Sequence, residues 1–414
     1  MKTRILIITF LYSLLASADP ITIWISSYQD KKYYEDLIQT YKMVDKSFTA
    51  TLSAFGFTEL PEKFSATIKI GKGAPDIVQL DEVLFSTFLR GQPPFVDLTS
   101  RIKEAKLGNA FHPQRMDLFS VNNKQYGLPQ SLSTYILFYR KDMFNELDVK
   151  HSDLSTWDKL LKTGKTLAKN DQALMPMDPS YFGVLLRQRG GTMFDKKGLA
   201  FPDFKLAVDT LEFLATLCQE GIAVMPDRGS IYDPVFFQGD VSRNEIACIL
   251  GADWYGLDMI QNFCPNLKGK WGMLPMPKWT DKLTRKSYAS ATFAGQGLFI
   301  YNKSRNIEKA WQFLKWAMTD KGANRKRFVG GNSFPAYKAA WTDNALLAPS
   351  EYFGNESMGK LILSVSKELP PITMNAKRAA AVFLLSDRYF ASVMSGHTSA
   401  EDALRELKII LDKQ

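Results

Sequence analysis

The chain has 414 residues, of which 45% are hydrophobic and 23% are charged. These are ordinary globular values, so they exclude a disordered chain, and the length predicts two lobes rather than one compact core. The formal charge is +9, but the basic residues form no stripe interleaved with aromatic ones, so a nucleic-acid module is not indicated. Three cysteines and three histidines stand at no metal-ligand spacing, and neither a metal nor a cofactor is expected.

The first eighteen residues have the pattern of a secretory signal peptide. Lys2 and Arg4 precede an apolar run over residues 5–15, which ends in the small residues of Ala16-Ser17-Ala18. The run is too short to cross a bilayer as a helix. We therefore expect cleavage near Ala18, a mature protein from Asp19 and a periplasmic location. The alternative is an uncleaved anchor or a buried strand.

The first part of the mature chain predicts alternating strands and helices. A β-rich stretch over residues 21–25 predicts a strand, and apolar residues over 34–41 recur at helical spacing. Two further strands are predicted over 66–70 and 76–80, and Asp81 can cap the helix that follows. This order is typical of an α/β fold whose sheet is mostly parallel and has helices on both faces.

The rest of the chain continues the alternation without a flexible linker or an internal repeat. The predicted elements are a strand over 131–139, a helix capped by Ser155, a helix over 204–218 ended by Gly221, strands over 244–250 and 295–301, a helix over 307–317 and a last helix opened by Ser399. In such folds the ligand site lies beyond the carboxyl ends of strands, which in a two-lobed protein is the cleft between lobes.

Several short motifs occur together in a recognisable order. They are residues 73–78 (Gly-Ala-Pro-Asp-Ile-Val), 126–129 (Tyr-Gly-Leu-Pro), 137–142, 190–191, 246–254, 295–297, 309–314 and 395–396. In this order and spacing the chain resembles the extracytoplasmic solute-binding proteins of ABC importers, family 1, the maltose-binding-like sugar group. The resemblance covers essentially the whole mature chain.

The resemblance implies a two-lobe periplasmic-binding-protein fold of type II, each lobe a mixed, mostly parallel sheet flanked by helices. The N-terminal lobe would take residues 19–129 and 294–338, and the C-terminal lobe residues 130–293 and 339–414. Hinge strands would lie at 129–133 and 293–297. Closure would bury a sugar or oligosaccharide and present the protein to the membrane subunits of the permease. The protein would act as a monomer and would bind its solute without catalysis.

Sugars have apolar faces and hydroxyl rims, so their sites combine aromatic plates with short polar side chains. The resemblance implies that Trp254, which directly follows a predicted strand, stacks on the ligand. Asp253 stands where the family more often has proline. Tyr181 and Trp341 are further aromatic candidates, and for both the alternative is a place in the core.

The polar candidates follow the predicted strands and the two crossovers between lobes. They are Ser27, Tyr28, Asp81, Glu82, Ser131, Ser133, Thr292, Phe293 and Gln296. For Asp81 the alternative is an ordinary helix cap. For Thr292, Phe293 and Gln296 it is a purely hinge role. The maltose binders have an acidic residue where Ser133 stands, so their sugar preference does not transfer.

Other functions remain open at the level of sequence. A secreted polysaccharide hydrolase would need paired carboxylates or a nucleophile motif, and no motif singles out such residues. The basic balance keeps an anionic solute such as a sugar phosphate possible in principle, alongside a polyamine or a peptide. Cys248 and Cys264 could form a disulfide, and buried free thiols are the alternative.

Overall fold

The computed structural model describes residues 20–226, 230–330 and 332–414. The signal peptide predicted over residues 1–18 therefore lies outside the described residues. Twelve strands are present in this part of the chain: β1 Ile21–Ile25, β2 Ala50–Ala54, β3 Ile77–Asp81, β4 Ser120–Val121, β5 Lys124–Gln125, β6 Gly127–Pro129, β7 Tyr135–Arg140, β8 Met175–Pro176, β9 Ala223–Val224, β10 Cys248–Ala252, β11 Trp271–Leu274 and β12 Gln296–Ile300.

The first sheet has five strands in the order β2-β1-β3-β12-β6. β1 runs parallel to β2 and β3, whereas β12 runs antiparallel to β3 and β6. The carboxyl ends of β1, β2, β3 and β6 and the amino end of β12 therefore meet at one edge of the sheet. We call the part of the molecule built around this sheet the first lobe.

The second sheet is centred on β7, which pairs antiparallel with β10 and β11. Backbone bonds from Ala247 N to Ala173 O (3.0 Å) and from Cys248 N to Leu174 O (2.7 Å) join β10 to the parallel pair β8 and β9. The sheets are mixed, as expected. The second sheet is not mostly parallel, because β7 lies between β10 and β11, and both of these strands run in the direction opposite to β7. We call the part built around this sheet the second lobe.

Three crossovers connect the two lobes side by side. Gln130 N donates to Gln296 O (2.9 Å), Leu132 N to Phe334 O (2.9 Å) and Tyr135 N to Ala291 O (2.9 Å). The two predicted hinge segments, 129–133 and 293–297, are therefore neighbours, and a third crossover at 334–336 lies beside them. Their hinge role and the lobe boundaries stay predictions.

The helices occupy both faces of the sheets. The longer ones are Asp30–Val44, Glu59–Ile70, Trp157–Ala168, Ser180–Gln188, Phe204–Gln219, Ile307–Thr319, Lys321–Val329, Met358–Val365 and Ala400–Asp412; shorter ones are Glu82–Phe85, Thr99–Glu104, Pro113–Asp117, Lys141–Glu146, Pro234–Phe236, Gln261–Phe263, Arg378–Leu384 and Ala391–Met394. Ser399 caps the last helix as predicted, by accepting from Asp402 N. Thr156, not Ser155, caps the helix that begins at Trp157.

One predicted strand is wrong. Residues 66–70 are the end of helix Glu59–Ile70, which buries Leu60 and Phe64 and ends at Gly71 in the left-handed conformation (φ 77°). Apolar and polar residues alternate over 66–70, as they do in a half-buried strand. The alternation was misleading because Ile70 is apolar but does not face the core, and 72% of it is exposed. The second strand of the sheet is instead β2, a half-buried edge strand of sequence Ala-Thr-Leu-Ser-Ala. It alternates too, but Leu52 is its one large apolar residue, so its signal was weaker than that of residues 66–70.

The cores and the cysteines complete the scaffold. The first lobe has an aromatic-rich cluster that includes Phe85, Phe119 and Phe299, and its rings contact one another at 4.8–5.8 Å between centroids.

Cys248 and Cys264 are buried free thiols, so the suggested disulfide is wrong. None of the helices in the described part of the chain is long and apolar enough to span a membrane.

Candidate functional site

Polar side chains collect at the edge of the first sheet that faces the second lobe. Ser27 and Tyr28 follow β1, Asp81 ends β3, Ser131 follows β6, and Gln296 begins β12. They converge because the strand directions bring four carboxyl ends and one amino end to this edge. These side chains therefore lie where the sequence-based rule places a ligand site, beyond the ends of strands.

A network of amides lies beneath this edge. Gln79 Nε2 donates to Asp30 Oδ2 (2.6 Å), Gln130 Oε1 (3.2 Å) and Gln296 Oε1 (3.3 Å). Gln130 Nε2 donates to Asp30 Oδ2 (3.1 Å) and Gln296 Oε1 (3.1 Å). The oxygen of Gln296 is thus used by the protein, which leaves its amide NH₂ as the group available to a ligand.

Asp30, the first residue of helix Asp30–Val44, is the hub of this network and is only 1% exposed. Besides the two glutamines, Asn332 Nδ2 donates to its Oδ1, and Arg327 NH1 lies 3.9 Å from its Oδ2. We call Asp30, Gln79, Gln130, Gln296 and Asn332 the amide floor. A buried carboxylate held by this many donors is a rigid feature.

Aromatic side chains form the opposite side of the site. β10 runs antiparallel to β7, so its carboxyl end lies beside the crossover. Trp254 follows two residues later and lines the same space as Ser27 and Asp81. Tyr232 lies nearly parallel to Trp254, with ring centroids 6.1 Å apart and an interplanar angle of 18°. We call Tyr232, Trp254 and the neighbouring Met259 the aromatic wall. Both rings are half-buried, so each keeps a surface for contact.

A cavity of about 480 Å³ separates the floor from the wall. This volume falls in the range of about 300–1,000 Å³ that is typical of small-molecule sites. Eight predicted residues line it: Ser27, Tyr28, Asp81, Ser131, Ser133, Trp254, Phe293 and Gln296. The other described lining residues were not predicted: Ser26, Gln29, Asp30, Phe55, Gly56, Phe57, Val83, Tyr232, Asp258, Met259, Ala294, Gly295, Asn332, Ser333, Val382 and Phe383.

The crossovers at the back of the cavity are held together by a buried arginine. Arg115 Nε donates to Ser131 O (3.0 Å), and its NH2 donates to Ala294 O (2.9 Å). Gly295 adopts φ 100°, and a Cβ there would lie 1.8 Å from the Arg115 guanidinium, so this position requires glycine. Ser131 and Ser133 hydroxyls contact each other at 2.9 Å. Arg115 therefore fixes the spacing of the first two crossovers.

Three carboxyl groups at or behind the cavity are harder to ionise than usual. Burial and the adjacent Glu82 raise the pKa of Asp81 to about 7, and burial raises that of Asp253 to about 7. Burial and the charge of Asp30 raise the pKa of Asp258 to about 6. Asp81 also caps helix Glu82–Phe85 by accepting from Val83 N, so the alternative reading as a helix cap is confirmed, and its contact with a ligand stays a prediction.

Two predicted polar residues do not line the cavity. Glu82 is fully buried and accepts two hydrogen bonds of 2.6 Å from Arg378. Thr292 is fully buried; its hydroxyl accepts from Gln114 Nε2 (3.0 Å) and its carbonyl from Arg187. Both side chains are already used by the protein, so we remove them from the candidate contacts.

Two predicted aromatic residues also lie elsewhere. Tyr181 is 0% exposed within helix Ser180–Gln188, and its hydroxyl donates to Leu250 O (3.0 Å). Trp341 packs on Phe334 and donates to Pro335 O (2.9 Å) beside the third crossover. Tyr181 thus occupies the core position that was its alternative, and Trp341 is half-buried and packs against the core. The polar atoms of both find backbone partners inside the protein.

The residues that sequence reasoning missed come from three sources. Phe55 and Phe57 follow β2, the strand that was not predicted. Tyr232 precedes a short helix in a segment without strand or helix periodicity. Asp258 stands four residues after Trp254 on the same helical turn, and this spacing was the one available signal for it.

The described residues contain no group of three metal-ligating side chains placed to hold a metal ion. The site consists of hydroxyl, amide, carboxyl and aromatic groups, which suit a hydroxyl-rich organic solute.

Comparison with known proteins supports this architecture. Residues 26–324 match the family described as bacterial extracellular solute-binding protein. The chain belongs to this family. The matched region contains the first crossover, the aromatic wall and most of the amide floor. Most of the candidate site therefore lies within the part of the chain that matches the family.

Relatives match over most of their length. An arabinooligosaccharide-binding protein of Bacillus subtilis is 25% identical over 377 residues, covering 88% of this chain and 85% of that protein. A lactose-binding protein of Rhizobium radiobacter is 23% identical, covering 84% and 82%. A solved ABC substrate-binding protein of Listeria monocytogenes in complex with cycloalternan has a TM-score of 0.76 at 21% identity, covering 95% of this chain and 98% of that chain. The two-lobe, maltose-binding-type fold expected from the sequence is confirmed.

Proposed function

We propose that this protein is the solute-binding component of an ABC importer and that it captures a sugar or oligosaccharide in the cavity between its lobes. The observation that carries the proposal is the pairing of the amide floor with the aromatic wall across about 480 Å³. Hydroxyl groups can bond to the floor while the apolar face of a sugar ring stacks on Trp254. The sugar-binding relatives in the same family support the assignment.

The charge of the lining favours a neutral solute. Among the described lining residues none is Lys, Arg or His, and the charged side chains there are Asp30, Asp81 and Asp258. An anionic sugar or a sugar phosphate would meet carboxyl groups and find no cation among the described lining residues, which weakens its binding. The excess of basic residues in the whole sequence therefore does not describe the charge of the site.

A thermal-shift screen tests the proposal, because a ligand that binds the folded state raises its melting temperature. Neutral arabino-, galacto- and malto-oligosaccharides would be compared with galacturonic acid and glucose phosphates. We expect a neutral sugar to give the largest shift, followed by a measurable Kd in calorimetry. A shift produced only by the anionic compounds, or hydrolysis of the bound sugar in a reducing-end assay, would contradict it.

Within this proposal the protein is exported, processed near Ala18, and works as a monomer in the periplasm, where it delivers the sugar to the membrane subunits of a permease. The family's extracellular description supports export. Mass spectrometry of the protein recovered from an expressing bacterium checks the processing. We expect an N-terminus at Asp19, and a mass that retains residues 1–18 would contradict the cleavage.

A further inference from the structure

Residues 366–379, which we call the bridging segment, leave the second lobe and pack on the first. His112 Nε2 lies 3.0 Å from Ser366 O, and Gln114 Nε2 donates to Pro370 O (3.3 Å). Ile372 is only 8% exposed and belongs to the aromatic-rich cluster of the first lobe. After the third crossover the chain therefore contacts the first lobe once more.

The segment ends in a buried ion pair with the first lobe. Arg378 donates through Nε and NH2 to the two oxygens of Glu82, both at 2.6 Å, and both side chains are buried. The next amide, Ala379 N, donates to Ser86 Oγ (3.0 Å). Because Ala379 lies in the first turn of helix Arg378–Leu384, the first lobe supplies both the counter-ion and the cap of this helix.

The chain that follows is attached to the second lobe. Helices Ala391–Met394 and Ala400–Asp412 pack against helix Phe204–Gln219. Gln219 Nε2 donates to Val393 O (3.3 Å), and Lys408 Nζ donates to Ala200 O (2.7 Å). Helix Arg378–Leu384 is thus held by the first lobe at its beginning and by the second lobe beyond its end.

This helix also forms part of the cavity, because Val382 and Phe383 line it. We propose that Glu82 is a positioning residue for the binding site. Through Arg378 it holds the beginning of the helix on the first lobe, and the held helix places Phe383 in the cavity wall. Glu82 thereby ties the shape of the cavity to the relative position of the two lobes.

The surroundings of the ion pair make Glu82 difficult to replace. Arg187, from helix Ser180–Gln188 of the second lobe, lines a small second cavity together with Arg378. Burial and the nearby charge of Arg378 lower the pKa of Arg187 to about 9. The negative charge of Glu82 stabilises the charged forms of both Arg187 and Arg378. Without it, two buried guanidinium groups would face each other.

Hydrogen exchange of the ligand-free mature chain, followed by mass spectrometry, tests the proposal. In Glu82→Gln we expect amides of residues 378–390 to exchange about 100-fold faster, while those of helix Phe204–Gln219 keep their protection. The matched control is Glu368→Gln, which removes an exposed ion pair (Lys286 Nζ to Glu368 Oε2, 2.9 Å) from the same segment and should change neither region. Unchanged exchange at 378–390 in Glu82→Gln would overturn the proposal.

A milder variant covers the case in which Glu82→Gln does not fold. Glu82→Asp keeps the buried negative charge but shortens the side chain, so it weakens the two hydrogen bonds to Arg378, and the chain should fold and show faster exchange confined to residues 378–384. Exchange equal to that of the parent protein in this variant would equally overturn the proposal.

A measurement of sugar affinity distinguishes a positioning role of Glu82 from a general effect on stability. This measurement rests on the proposed function. For a sugar identified in the screen, Glu82→Gln should weaken affinity at least about tenfold while Glu368→Gln leaves it unchanged. If Glu82→Gln accelerates exchange but keeps the affinity, the helix is held as described and its role in the site is overturned. If no sugar binds the parent protein, the proposed function fails, and the exchange result still decides how the helix is held.

Discussion

The two sides of the cavity differ in how their side chains are held. In the amide floor, polar atoms of Asp30, Gln79 and Gln130 are bonded to one another before any ligand arrives. In the aromatic wall, Trp254 and Tyr232 contact each other through ring faces and keep half-exposed surfaces. The floor can therefore fix where a solute's hydroxyls must lie, whereas the wall supplies contact area that tolerates different ring arrangements.

This difference predicts that substitutions in the floor and substitutions in the wall will change different measured properties of the protein. A change in the floor breaks contacts that exist in the ligand-free protein, so it should lower the free energy of unfolding. A change in the wall removes the contact area offered to a ligand and, within the protein, only ring contacts such as that between Trp254 and Tyr232. It should therefore lower affinity more than it lowers the ligand-free stability. The variants below test this division in decreasing order of expected effect.

The largest effect is expected for Asp30→Ala in the floor. The substitution leaves the amides of Gln79, Gln130 and Asn332 without their shared acceptor, and it removes the carboxylate beside buried Arg327. We expect the free energy of unfolding to fall by about 3–5 kcal/mol, measured by urea denaturation of the ligand-free protein. Asp36→Ala on the exposed face of the same helix, where Lys32 pairs with it, is the control and should cost far less.

The next effect is expected for Trp254→Ala in the wall. We expect Kd for the best sugar of the screen to rise at least about thirtyfold, because about 2 kcal/mol or more is typical of a central aromatic contact. The unfolding midpoint of the ligand-free protein should stay close to that of the parent. Trp316→Ala, which removes a half-buried indole packed on Tyr41 away from the cavity, should show the reverse pattern. Unchanged affinity in Trp254→Ala would place this residue in the core.

A smaller effect links the wall to pH through Asp253, which precedes Trp254. Its Oδ2 accepts from Phe334 N and its Oδ1 has no partner among the described residues, and burial raises its pKa to about 7. Because the folded protein holds this proton more tightly than the unfolded chain does, the stability contributed by the protonated form is lost as pH rises towards and through 7.

Thermal unfolding of Asp253→Asn across pH 5–8 checks this linkage. The variant cannot ionise at this position, so its melting temperature relative to the parent should rise by a few degrees between pH 5 and pH 8. A constant difference across this range would show that Asp253 does not change its protonation in the folded protein over these pH values.

The floor and the wall also differ in how far they could be predicted. Trp254 was predicted because it directly follows a buried strand at the place where the resembled family has a stacking Trp, and this motif is local in the sequence. Gln79 lies in the middle of β3 and reads as an ordinary strand residue. Its partners Gln130 and Gln296 are 51 and 217 residues away. Only the strand order and register bring them together, and this information is not local.

The same reasoning explains the errors in the candidate set. Glu82 adjoins Asp81 and shares its position after β3, but the two side chains point to different surroundings, one to the cavity and one to Arg378. A sequence motif specifies the loop on which a residue lies and not the direction of its side chain. The pairing of Glu82 with a residue 296 positions later could not be read from any local pattern.

The smallest effect is expected for Tyr181→Phe, which tests whether the aromatic wall ends at Trp254 and Tyr232. Tyr181 is fully buried and does not line the cavity, and its hydroxyl donates to Leu250 O (3.0 Å) on β10. Removing that hydroxyl leaves one carbonyl without this donor, so we expect the free energy of unfolding to fall by about 1 kcal/mol and Kd for the sugar to stay unchanged. Calorimetric titration beside urea denaturation measures both quantities in one preparation. A rise in Kd without a loss of stability would return Tyr181 to the ligand contacts, because a residue that acts only through the core cannot lower affinity while leaving the fold as stable as before.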